Sequence, residues 1–184
     1  MPTYTPIASQ TLTSASSSVI FGGIPQIYQD LVIVANGIAT TSTGVNLQIN
    51  GDTGSNYSSS RLLGDGSSVT SNRSTSQTSI TVNYNGNFTT SLTANFIISI
   101  NNYSNSTAYK TVLSRANRTA SGVDAIVGLW RSTSAITSIV FNTAAGSFDV
   151  GTTFDLYGLS PVAAQNASAA GGTDIFYDLS LIHI

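Results

Sequence analysis

Between Val45 and Asn50 apolar and polar side chains alternate without a break, Val45, Leu47 and Ile49 against Asn46, Gln48 and Asn50. A chain with period two places neighbouring side chains on opposite faces of a strand, one face buried and the other wet. Short runs of strand character recur along the chain, separated by clusters of Gly, Asn, Asp and Ser. They fall at Ile7 to Thr13, Ser18 to Phe21, Leu31 to Ala35, Ile80-Val82-Tyr84 with Phe88, Thr93 to Asn101, Tyr109 to Arg118, Asp124 to Arg131, Ile136 to Phe141 and Phe154 to Leu159. No stretch carries an apolar stripe with the period of a helix. Leu31 to Ala35 is apolar throughout, which predicts a central strand covered on both faces. Asn50-Gly51 and Asn85-Gly86 tolerate positive φ at both positions and so predict type I′ hairpin turns.

Composition agrees with strands. The 184 residues include 29 Ser, 24 Thr and 15 Asn but no Glu, and charged residues are only 8%, where about 25% is usual. Thr is β-branched, while Ser and Asn divert helical backbone hydrogen bonds to themselves. About ten short strands in one domain predict an all-β fold, an antiparallel two-sheet sandwich of jelly-roll-like form, with a barrel as the lesser option. The domain is read as residues 1–159. Within it, Asn50 to Thr78, rich in Gly, Ser, Asn and Asp around Arg61-Leu62-Leu63, is expected to be a long ordered loop or an edge hairpin. Residues 160–172, Ala/Ser/Gly-rich after Pro161, read as a linker.

Several classes of function lose their chemistry here. With no Cys, disulfides and thiolate metal sites are excluded. Lys+Arg 6 against Asp+Glu 8 leaves a net charge of −2, so no basic surface is expected to meet nucleic acid. The first residues lack the basic and apolar regions of a secretion signal, and no apolar run is long enough to cross a bilayer as a helix. The product is therefore expected to be soluble and made in the cytoplasm. A mean hydropathy of +0.16 and sparse charge favour self-association.

His183, the only His, falls in the last six residues, read below as artefactual; a serine hydrolase is then left without its base, and a cysteine nucleophile is lacking. Asp52-Thr53-Gly54-Ser55-Asn56 with Asp65 offers oxygens for a calcium loop but lacks EF-hand spacing, and a turn capped by Asp52 is the plainer reading. Asp52-Thr53-Gly54 also matches the aspartic-protease tripeptide, though a second Asp would have to come from a dimer. A pair drawn from Asp30, Asp52, Asp65, Asp124, Asp149 and Asp155 would suit a glycosidase, yet each sits beside a turn or strand end. No catalytic residue, metal ligand or cofactor is assigned.

Carbohydrate binding is the stronger rival. Trp130 follows Ala125 to Leu129 in a strand and reads as a core or sheet-edge residue, whereas Tyr57 and Tyr103 lie in Asn- and Ser-rich turns. With Arg61 they are the candidate glycan contacts. Lys110, Arg115, Arg118 and Arg131 fall on neighbouring predicted strands, as a solvated face or, more sharply, a patch for an acidic glycan. Triplets such as Asn56-Tyr57-Ser58 follow from composition.

Four segments carry a family likeness: Ile24-Pro25-Gln26 with Tyr28-Gln29-Asp30-Leu31-Val32; Asn50-Gly51-Asp52-Thr53-Gly54-Ser55-Asn56-Tyr57; Ile136-Thr137-Ser138-Ile139; and Thr153-Phe154-Asp155-Leu156-Tyr157-Gly158-Leu159. In this order they resemble virion structural proteins of tailed bacteriophages that are frequent in environmental phage sequences. The resemblance implies a β-sandwich in a tail fibre, head fibre or decoration protein, acting in the virion by assembly and surface contact. Its partners would be other virion subunits, with homotrimerisation expected, and in the alternative a host surface glycan. It carries no catalytic residues across. Gly171 to Asp178 looks like the opening of a second module, so residues 173–184 read as its truncated start. Leu179-Ser180-Leu181-Ile182-His183-Ile184 looks like a translated sequencing-library transposon end, which would make 179–184 artefactual and the chain a metagenomic fragment.

Overall fold

A computed structural model of the chain describes residues 4–84, 87–118 and 122–160. The expected Asn85-Gly86 turn, the linker from Pro161 and the second-module start with His183 lie outside these residues. The described chain is all-β. Twelve strands follow in order: β1 (Tyr4–Thr11), β2 (Ser18–Gly22), β3 (Asp30–Gly37), β4 (Val45–Ile49), β5 (Tyr57–Gly64), β6 (Val69–Gln77), β7 (Ile80–Thr81), β8 (Ala94–Ile100), β9 (Lys110–Arg118), β10 (Gly122–Trp130), β11 (Ser138–Thr143) and β12 (Thr153–Leu159).

They form an eight-stranded sheet, β1-β12-β3-β8-β9-β10-β5-β6, packed on a four-stranded sheet, β2-β11-β4-β7, with antiparallel pairing throughout. Setting aside the hairpins β5–β6 and β9–β10 leaves eight strands. In chain order these pair 1-8-3-6 in one sheet and 2-7-4-5 in the other, which is the jelly-roll wrapping. The two hairpins enter between β4 and β7 and between β8 and β11, and both extend the first sheet at the β8 edge. The stretch expected as a loop or an edge hairpin is thus the hairpin.

The alternation in β4 does what its period requires: Val45, Leu47 and Ile49 are fully buried while Asn46 and Gln48 alternate with them. Between the sheets lies a cluster of phenylalanines. Phe154 on β12 faces Phe141 on β11 with ring centroids 5.3 Å apart, and Phe96, Phe148 and Phe88 continue the chain of ring contacts. These rings bury large apolar area at the point where the two layers must be held together. Leu31 to Ala35 forms part of β3, interior to the sheet. Its Leu31, Ile33 and Ala35 face the core, and Val32 on the other face is 5% exposed while Val34 is only half-buried.

The Asn50-Gly51 turn has the expected backbone, φ 53° and 67°, closed by the Asp52 N–H donating to the Ile49 carbonyl at 2.9 Å. It does not make a hairpin, however: β4 pairs with β11 and β7, while β5 pairs with β10 and β6. The turn instead carries the chain from one sheet to the other. Asn50 explains how the corner is held, since its carboxamide donates to Ala135 O and accepts from the N–H groups of Thr137 and Ser138.

The extension beyond β8 is fastened from the inner side. Ser114 on β9 donates to Val82 O at 2.7 Å, and the Tyr84 N–H donates to the Asp124 carboxylate at 2.5 Å. Ile80 of β7 rests on Gly128 of β10, where an added Cβ would come within 2.6 Å of the isoleucine. Glycine is needed there for the close approach of the strands.

Candidate functional site

The sequence-predicted contact residues lie apart from one another. Tyr57 opens β5 with 0% exposure. Its hydroxyl donates to Asp52 O at 2.9 Å and accepts the Ile49 N–H at 3.0 Å, and burial pushes its phenol up to about 12. Tyr103 is also 0% exposed, and its hydroxyl donates to Pro25 O. A ring with no accessible face has nothing to stack on a sugar, so the two tyrosines act as struts that satisfy backbone groups at the sheet corners. Arg61 lies with its guanidinium 3.7 Å from the centre of the Tyr84 ring, a cation–π contact on the inner side of the hairpin.

The Asp52-Thr53-Gly54 segment is a capped turn. The Asp52 carboxylate accepts from Trp130 Nε1 at 2.7 Å, from Gly54 N at 2.8 Å and from Asn56 Nδ2. The indole hydrogen bond first, then those from Asn56 and Gly54, hold it below the ordinary aspartate value. Trp130 itself is 3% exposed and belongs to the core. Among the described residues, no three carboxylate or imidazole groups gather as a metal site.

The four cations grouped by sequence separate by strand parity. Lys110 and Arg115 are an odd number of residues apart on β9 and so point to opposite faces. Lys110 is buried, donating to Ala108 O and Thr133 O, and desolvation lowers its pKa. Arg118 shares its parity, with Nη1 reaching Asn87 O. Arg131 lies past β10 and clamps Ser55 O and Tyr57 O. Of the three on β9, Arg115 is the one that faces outward.

What sequence reasoning missed is the outer face of the extended sheet. Leu62, Val69, Ile97, Leu113, Val123 and Val127 are all at least 37% exposed. Strand register places them in three adjacent rows: Asn95-Asn117-Val123-Gly64-Val69, Ile97-Arg115-Ala125-Leu62-Ser71 and Ser99-Leu113-Val127-Ser60-Arg73. Two hollows open along these rows, of about 500 and 490 Å³. Neither Arg115 nor Arg73 makes a hydrogen bond or ion pair with a described residue. A contiguous exposed apolar patch of this kind is typical of contact surfaces. One side-chain set on β9 and β10 is turned to the core; the apolar residues of the opposite face are visible in the sequence as Leu113, Val123 and Val127.

No protein-family model matches the chain, and no curated protein aligns with it significantly.

Proposed function

We propose that this chain is a structural protein of a tailed-phage virion, a tail-fibre or capsid-surface component that works by assembly and surface contact. The observation that carries the reading is the exposed apolar face added to one sheet of a jelly roll, a wrapping found in viral capsid and lectin domains. The two inserted hairpins lengthen that sheet past the four-stranded layer, and among the described residues no layer covers their outward side chains. The four segments that resemble phage virion proteins lie within the described domain. A fold of this class hosts many functions, so the weight rests on the face.

Sedimentation of the full chain tests the proposal. Association, to a trimer in the fibre-like arrangement, is expected to strengthen with concentration and to be lost in the double variant Leu113→Asp, Val127→Asp. Both positions are about half exposed, so the fold is retained. A monomer at every concentration refutes assembly through this face.

A further inference from the structure

The larger hollow is more than a flat patch. Its walls are Leu62, Val69, Ile97, Val123 and Ala125, and among the described lining residues the charged ones are Arg115 and Asp124. The Asp124 carboxylate is turned to the inner face, 4% exposed and bonded to the Tyr84 N–H. Arg115 therefore supplies the groove's charge unopposed. Beside it in the register stand Asn95 and Asn117, whose carboxamides make no hydrogen bond to any described residue and whose row adjoins Arg115.

The depression exists because Gly64 lies between Val123 and Val69 in the same row. A Cβ at Gly64 would meet only Val123 Cγ2, at 3.5 Å, and its φ is not in the left-handed region. Neither backbone conformation nor crowding demands glycine there. The missing side chain leaves space, at about 500 Å³ within the range of small-molecule sites.

We propose that this groove binds an amphipathic organic anion: an apolar body lying over Gly64 between Val69, Val123 and Ile97, with its carboxylate on the Arg115 guanidinium and the two asparagines beside it. The chemistry follows from the lining. Aliphatic walls without an aromatic platform favour an acyl or similar hydrocarbon over a sugar ring. A planar guanidinium without an acidic neighbour favours a carboxylate. The inference rests on the outer face being a contact surface and names what one part of that face takes. The Leu113-Val127 row assigned to assembly lies beside it.

Titration calorimetry of the full chain with dodecanoate below its micellar concentration is the test. One saturable site is expected. Arg115→Gln should weaken it about tenfold, as for loss of a charge-assisted hydrogen bond. Gly64→Val should abolish binding by filling the groove while leaving the urea midpoint unchanged or higher, since valine suits a strand. No saturable heat with dodecanoate overturns the proposal. So does full binding in Gly64→Val, equal affinity for decyltrimethylammonium, or a preference for glucuronate, which would mark an acidic-sugar site. Sedimentation reads assembly independently, so loss of the ligand site and loss of the assembly reading are separate outcomes.

Discussion

Phe154→Ala tests whether the phenylalanine cluster joins the two layers. Phe154 is fully buried on β12, with ring centroids 5.0 Å from Phe148, 5.3 Å from Phe141 and 6.0 Å from Phe96. Phe141 belongs to the opposite sheet, so the ring bridges the sandwich. Truncating a buried Phe costs about 3–5 kcal/mol in lost transfer energy and cavity. Three well-placed ring pairs put this site near the top of that range, at about 4–5 kcal/mol. Phe154→Leu keeps most of the volume and loses chiefly the ring pairs, at ~0.5 kcal/mol each or more, so about 1.5–2 kcal/mol is expected. In a domain of this size the alanine variant should melt about 10–15 °C lower. Urea unfolding followed by circular dichroism gives both free energies if the m-value is unchanged. As a control, Leu62→Ala on the exposed face should stay within about 0.5 kcal/mol. An alanine cost below about 2 kcal/mol, or one equal to the leucine cost, refutes the assignment of the rings as the inter-sheet joint.

Two further outcomes follow from close contacts. Gly128→Ala should destabilise by about 1–3 kcal/mol in urea, because its Cβ would fall within 2.6–2.8 Å of Ile80 side-chain atoms; a neutral result would mean that β7 does not press on β10. Asp52 titrates below the ordinary aspartate value of 3.8, so its stabilising bonds are complete above that value and are lost as pH falls through the lowered one. Thermal melts between neutral pH and about pH 2.5 should therefore show a smaller drop for Asp52→Asn than for the parent chain, and equal drops would refute the Trp130–Asp52 anchor.

Local periodicity and turn chemistry read well because they depend on neighbours in the chain. The burial of Val45, Leu47 and Ile49 and the positive φ of Asn50 and Gly51 are of this kind. Where the Asn50-Gly51 turn leads was not legible, since the partner of β4 is β11, some 90 residues on, and not the next strand. Tyr57 and Tyr103 read as exposed because Ser and Asn surround them. Their hydroxyls reach backbone groups at Ile49, Asp52 and Pro25, which lets a polar-tipped ring enter the interior. The opposite orientation of Lys110 and Arg115 was available from parity alone. The groove was not, because Gly64, Val123, Asn117 and Arg115 meet only through the registers of two strand pairings.

The ladder between β1 and β12, the first and last of the described strands, sets Tyr4 opposite Leu159. The two ends of the described domain thus meet at one corner, like a loop of thread tied at a single knot. A domain tethered in this way fits into a host loop without stretching it. Its far rim, where β6 lies seven strands from β1, is the edge of the sheet farthest from that corner.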